Sequence, residues 1–178
     1  LDQSVREILS ELPEQWSAVT VAHCLSHTSG LPDVSEPDTV NIIPIAGERN
    51  KVLELIAQRP VASAPGAVSS YNGAGILILS MIIERITNQS YESFVEQRLL
   101  KPLAIEGMAF GDSWAVIPNR ASLYTALKPN AERTRIAIVN GQPTFDKDRI
   151  YAFGSKGTPD WMNSAAGINA SLAAMISW

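Results

Sequence analysis

Apolar residues recur at helical spacing along most of this chain. Between positions 73 and 87, Ile76, Leu79, Ile83 and Ile86 repeat every three or four residues, and Ile78 and Ile82 widen the stripe. The segment is apolar nearly all round until Glu84 and Arg85, which predicts a central, buried helix over 73–87. Val5, Ile8, Leu9 and Leu12 predict a short amphipathic helix over 4–12, ended by Pro13. Thr20 can cap a second helix that turns Val21, Cys24 and Leu25 inward, with Gly30 and Pro32 as its stop. Val52, Leu55 and Ile56 predict a third over 48–58. Ser90 as cap, Glu92 in the first turn and Pro102 just beyond predict a helix over 91–100. Ser171 can cap a last helix that has only two turns before Trp178. Strand signals are sparse. Thr134–Val139 and Thr144–Phe145 flank "NGQP", Asn140 to Pro143, in which Asn140-Gly141 is a strong hairpin-turn signal. Residues 31–47 read as a Pro-rich loop and 104–132 as irregular chain. The expected class is mainly α with one short β-hairpin, in a single domain over 1–178.

Composition narrows the function classes. Hydrophobic residues are 46% and charged residues 18%, too apolar for disorder. The net charge of −4 comes with no basic block, so nothing points to nucleic acid. No apolar run approaches the roughly 20 residues of a membrane span. A lone Cys24 can form no internal disulfide and anchor no Cys-rich metal site. The chain opens on Leu1 with no signal-peptide pattern, and its last helix is cut short, so processing or a longer parent is expected. An apolar face left short of partners in that way would be open to self-association.

Two stretches carry candidate chemistry. "SHTSGLPD", Ser26 to Asp33, holds Ser, His and Asp. His23 and His27 share one helix side, as in zinc helices, but Cys24 rather than Glu follows His23 and no third ligand is evident. They are taken as structural imidazoles, and no metal is expected. No Gly-x-Ser-x-Gly elbow exists to present a nucleophile, and Ser29 follows a helix end rather than a strand. "PGAVSSYNGAG", Pro65 to Gly75, runs from a Pro-Gly loop into the buried helix, with Ser70, Tyr71 and Asn72 at the junction. The positive field of a helix N-terminus, with a lysine nearby, can lower a tyrosine pKa and make it a general base. The alternative is that Ser70 or Asn72 caps the helix and Tyr71 merely packs.

Taken in order, these stretches resemble the serine β-lactamase-like superfamily: class C β-lactamases, penicillin-binding D,D-peptidases and related esterases and D-aminopeptidases. "LDQSVREIL", "VTVAHCLSHTSGLPD", "PGAVSSYNGAGILILSMIIERITNQSYESFVEQRLLKPL" and "SAAGINASLAAMISW" are each similar to a family segment, in register. The resemblance implies the helical region of the α+β β-lactamase/transpeptidase-like fold, truncated at both ends. It makes "SHTSGLP" a helix end and turn, with Thr28 and Ser29 bonding exposed helix carbonyls and Gly30 left-handed. It places the family's Tyr-x-Asn tyrosine at Tyr71, as catalytic group. The third position is then Gly73, with Asn72 one place early. Read one residue earlier, Ser70-Tyr71-Asn72 fits a Ser-x-Asn form, so Ser70 and Asn72 are the candidate substrate-binding residues. No serine here has a lysine three residues on. Lys156-Gly157-Thr158 has the residues of the family's Lys-Thr-Gly in the wrong order. The resemblance puts Ser-x-x-Lys upstream of Leu1 and the strand motif after Trp178.

The implied activity of the parent is acyl transfer by a serine hydrolase on a β-lactam, D-amino-acid peptide or ester, without metal or organic cofactor, with this chain alone inactive. The alternative is a non-catalytic relative that binds a ligand or partner in the same cleft. The altered Tyr-x-Asn motif favours it, as do Ala104 and Ala174 where the family has Gly and Asp. An intact Ser-x-x-Lys before Leu1 discriminates the two. Such proteins are often periplasmic or secreted; nothing in this chain fixes its compartment.

Overall fold

A computed structural model describes residues 1–34, 49–110, 119–121, 124–125, 137–145, 151–152 and 160–178. Most of the expected loop over 31–47, the segment Thr134–Arg135–Ile136 and the Lys156-Gly157-Thr158 stretch lie outside those residues. The chain divides into two compact units: Leu1–Asp112 with Thr158–Trp178, and Ser113–Gly157.

The first unit is mostly helical. Its helices are α1 (Val5–Ile8), α2 (Val21–Leu25), α3 (Arg49–Ala57), α4 (Gly73–Thr87), α5 (Tyr91–Val95), α6 (Asn163–Ala166) and α7 (Leu172–Ser177). The cap residues do what their chemistry suggests. Thr20 Oγ1 accepts the His23 N–H while His23 Nδ1 accepts the Thr20 N–H, a reciprocal capping box. Ser90 and Ser171 accept from Ser93 N–H and Ala174 N–H.

Helix α4 is the axis, packed against α1, α2, α5 and α6. Its buried residues are Ala74, Leu77, Ile78, Ser80, Met81 and Ile82. The helix is buried as expected, and Ile78 and Ile82 of the predicted stripe lie in the core, but Ile76, Leu79 and Ile83 are only half-buried and Ile86 is exposed. An all-apolar helix has no unique face by periodicity, so its neighbours choose one. Here Gly75 faces α2, where a Cβ would come into ordinary contact with Cys24, 3.4 Å from its Cα. The core joins these residues to Val5, Leu9, Leu12, Trp16, Val19, Cys24, Val52, Leu53 and Ile56. Glu84 binds the helices at the far end of α4. One carboxylate oxygen pairs with Arg49 of α3 and the other accepts the Tyr91 N–H of α5 at 3.0 Å.

Four further expectations are corrected. The first helix stops at Ile8, where Leu9 leaves helical geometry (φ −119°, ψ 78°). Leu9 and Leu12 are nonetheless buried, from a turn whose carbonyl at Leu12 accepts the Arg6 Nε–H. Leu25 is exposed, because α2 is short and turns Cys24 to α4 instead. In α3 Leu53 is buried where Leu55 was expected. The 91–100 helix changes to π-helical winding over Glu96–Leu100.

Within 104–132, strand β1 (Met108–Phe110) pairs antiparallel with a strand formed by Ile168–Ala170, near the chain's other end. A second apolar cluster beside them holds Val95, Leu100, Ile105 and Ala174. Ala174 is buried there, which explains an apolar residue where the family carries Asp. Ala104, in the turn that follows the π-helical segment, has φ +50°, a left-handed residue where the family's glycine would be unstrained. On α7, Leu172, Met175, Ile176 and Trp178 are exposed.

The second unit is described only in its short strands. Strand β2 (Tyr124–Thr125) pairs with Tyr151–Ala152. Strand β3 (Ile138–Val139) pairs with β4 (Gln142–Pro143) across Asn140-Gly141, both at positive φ, the left-handed pair that a tight hairpin needs. The turn stands where the sequence placed it, but the second strand is Gln142–Pro143, directly after Asn140-Gly141, rather than Thr144–Phe145.

Candidate active site

The site is built from two loops laid side by side, 27–33 after α2 and 62–73 before α4. Backbone bonds run between them from Ala62 N–H to Gly30 O (2.8 Å), Gly66 N–H to Thr28 O (2.8 Å) and Ser70 N–H to His27 O (2.9 Å). Gly30 sits at φ +67°, and a Cβ there would lie 2.0 Å from the Ser63 carbonyl oxygen. Only glycine admits that approach. The first left-handed residue after α2 is His27 (φ +55°), so the turn starts earlier than Gly30. Ser26, not Thr28 or Ser29, returns its hydroxyl to a helix carbonyl, Ala22 O at 2.9 Å. Ser29 is buried and its Oγ accepts the Leu31 N–H. "SHTSGLPD" is thus the seat of the second loop.

Asn72 closes the seat. Its Oδ1 accepts the Gly75 N–H at 2.9 Å and caps α4, and its Nδ2 donates to Leu31 O at 2.6 Å. Its own N–H goes to His27 Nδ1 at 3.2 Å, and the next N–H, of Gly73, to Asp33 Oδ1 at 3.0 Å. With 6% of its surface exposed and both ends of its amide committed, Asn72 has the geometry of a brace rather than of a substrate contact. Gly73 is fixed by packing. A Cβ there would meet a Val34 methyl at 2.8 Å and Asp33 Oδ1 at 3.3 Å. A side chain at position 73 therefore requires the Val34 and Asp33 side chains to shift.

Tyr71 stands between these braced residues with 70% of its surface exposed, one residue ahead of the helix cap. Its ring lies against His27, centroids 4.8 Å apart and planes at 36°. Ser70 is exposed, and its N–H is the group that the structure engages. Tyr91 contrasts with Tyr71: it packs edge-on against Phe110, and burial first, then the Glu92 charge, push its phenol above the ordinary range. It stays neutral while Tyr71 faces solvent. Burial also pushes the Cys24 thiol up to about 12, which removes it as a nucleophile.

His23 Nδ1 and His27 Nδ1 both accept backbone N–H groups. Among the described residues no group of three or more His, Cys, Asp and Glu could hold a metal ion, and no helix is long and apolar enough to cross a membrane. A groove of about 280 Å³ lies between α5 and β1, lined by Glu92, Glu96, Leu100, Met108, Ala109 and Phe110. None of the three predicted site residues lines it. Sequence reasoning missed the parts of His27, Asp33 and Val34. The signal available was their place in the same turn as Gly30.

A family model described as Beta-lactamase matches residues 1–178. The chain belongs to the Beta-lactamase family. A putative D-alanyl-D-alanine carboxypeptidase of Escherichia coli K12 is 25% identical over 99 residues, 53% of this chain and 22% of that protein. Among solved structures, the D-stereospecific amidohydrolase from Streptomyces sp. superposes with a TM-score of 0.76 at 19% identity, over 99% of this chain and 51% of its own. The D-amino acid amidase from Ochrobactrum anthropi SV3 does so with 0.72 at 18%, over 99% and 46%. The chain thus has the family's fold and spans about half the length of these structures. The Beta-lactamase family assignment fits a mostly helical chain whose "SHTSGLPD" turn holds the loop carrying Tyr71.

Proposed function

We propose that the protein containing this chain is a serine hydrolase that forms an acyl-enzyme, with Tyr71 as its proton-transfer group and a D-amino-acid amide or peptide as substrate. A serine outside these residues attacks the substrate carbonyl carbon as the amide C–N bond breaks, and water later releases the acyl group. Tyr71, entering as the phenolate, takes the serine proton on its oxygen and, now a phenol, delivers that proton to the leaving nitrogen. The observation that carries this is the placement of Tyr71. It is exposed at the N-terminus of the buried α4, on a loop braced before and after it. The substrate class is supported by the names of the similar proteins, a D-stereospecific amidohydrolase and a D-alanyl-D-alanine carboxypeptidase. Gly73 also agrees with it, because no amide can project from that position to hold a β-lactam. The same gap is what favours the second reading, a cleft that binds ligand without turnover.

The test is kinetic, on the full-length protein, with a D-amino-acid amide, nitrocefin and p-nitrophenyl acetate. Tyr71→Phe should lower kcat/KM for the amide by about 10²–10⁴-fold, the span of a lost proton-transfer group. Ser70→Ala should do far less, and the 178-residue chain by itself should turn over none of the three. A crippling Ser70→Ala with a mild Tyr71→Phe would establish the Ser-x-Asn register instead. Binding without an acyl-enzyme would establish the non-catalytic protein.

A further inference from the structure

We propose that His27 is the positioning residue for Tyr71 and that it acts in its neutral form. The proposal rests on Tyr71 as the proton-transfer group. Three contacts from this one residue bracket the tyrosine. The His27 carbonyl accepts the N–H of Ser70, just before it, at 2.9 Å. The imidazole lies against its ring at 4.8 Å. His27 Nδ1 accepts the N–H of Asn72, just after it, at 3.2 Å. A tyrosine with 70% of its surface exposed has no surrounding core to fix its rotamer, so this ring contact and these two backbone anchors determine where the phenol points. The left-handed backbone of His27, φ +55°, is strained for a residue with a side chain, and the three contacts are what it achieves. His23, four residues earlier, spends its Nδ1 on the Thr20 capping box and takes no part.

Protonation state matters because of the acceptor. The Nδ1 lone pair exists only in the neutral imidazole; the imidazolium presents an N–H to the Asn72 N–H, donor against donor. Among the described residues, the titratable side chains on the segments packed here are Tyr71, Asp33, whose Oδ1 takes the neighbouring Gly73 N–H, and, one turn earlier in α2, His23 and the buried Cys24, whose thiol burial keeps neutral. When His27 takes up its second proton, the Asn72 anchor is lost and Tyr71 is released from its seat.

The test uses the 178-residue chain, labelled with ¹³C in its tyrosine rings, and needs no turnover. Tyr71→Phe assigns the Tyr71 ring signal, and His27→Asn assigns the His27 ring proton. On lowering the pH, the Tyr71 signal should move with the midpoint of His27. In His27→Asn the side-chain oxygen keeps an acceptor near the Nδ1 position, and asparagine tolerates positive φ. That variant should fold and lose the pH-dependent movement of Tyr71, while His23→Asn keeps it. In the full-length enzyme, His27→Asn should lower kcat about tenfold, part of the proton-transfer factor, with KM within about twofold. A wild-type Tyr71 signal indifferent to the His27 titration would overturn the proposal even if the variant fails to fold. So would a movement abolished equally by His23→Asn. Coupling that persists while Tyr71→Phe leaves turnover intact would uphold the positioning and refute the catalytic role of Tyr71.

Discussion

Truncating Asn72 removes two bonds whose costs can be worked out separately. In Asn72→Ala the Gly75 N–H loses its cap acceptor, 2.9 Å away. Replacing an N-cap asparagine by alanine costs about 0.5–2 kcal/mol. The Leu31 carbonyl loses the donor that now stands 2.6 Å from it, in a residue 3% exposed. A buried acceptor left without a partner costs about 1–3 kcal/mol. The sum is about 1.5–5 kcal/mol, a large share of the 5–15 kcal/mol typical of a folded domain. Asn72→Ser separates the parts. Serine caps about as well as asparagine, but its shorter side chain supplies no second donor to Leu31 O. Only the Leu31 share should then be lost. The assay is urea unfolding followed by far-UV circular dichroism and by fluorescence of the buried Trp16, with the slope m checked for constancy. The expected order is wild type, then Ser, then Ala, with about 1 kcal/mol between the variants. An Asn72→Ala protein within about 1 kcal/mol of wild type would refute the brace, since both bonds would then be worth nothing in solution. Asn72→Ser as damaging as Asn72→Ala would mean that the cap plays no part.

Other predictions follow from the same coordinates. Gly73→Asn, which would restore the family's motif on paper, should destabilise the chain by about 1–3 kcal/mol as overpacking does, because its Cβ meets Val34; an unchanged urea midpoint would refute that. Ala104→Gly should stabilise by about 0.5–1 kcal/mol, since relief of the left-handed strain exceeds the added freedom of the unfolded chain; a lower melting temperature would contradict it. Folding holds the Cys24 thiol neutral up to about 12, whereas an unfolded thiol ionises near 8.5. Its contribution is therefore complete below that lower value and is lost as pH rises, by about 1.4 kcal/mol per unit. Cys24→Ala should flatten the alkaline fall in stability between about pH 8.5 and pH 10, and equal slopes in the two proteins would refute the assignment.

The sequence by itself determined the features that are settled within a few residues. Helix α4 begins at Gly73 and ends at Thr87 as its apolar run predicts, because a fifteen-residue apolar run with Asn72 as cap and left-handed Asn88 as stop has both ends set locally. Thr20, Ser90 and Ser171 are caps because a hydroxyl reaches an N–H three residues on whatever the rest of the chain does. Asn140-Gly141 makes its turn for the same local reason. Tertiary structure decided what local patterns leave degenerate. A helix apolar on all sides does not name its buried face; α1 and α2 selected Leu77 and Ile78 over Leu79 and Ile86. Strand β1 has three residues and no turn signal, and it exists only because Ile168–Ala170 arrives from the far end of the chain to pair with it. At the candidate site, the sequence supplied Tyr71 and its neighbours. Whether Asn72 faces a substrate or holds Leu31, and whether position 73 admits a side chain, depended on the loop from His27 to Val34 lying alongside. That contact joins residues some forty positions apart, and its hydrogen bonds and steric limits arise only once the two loops are packed together.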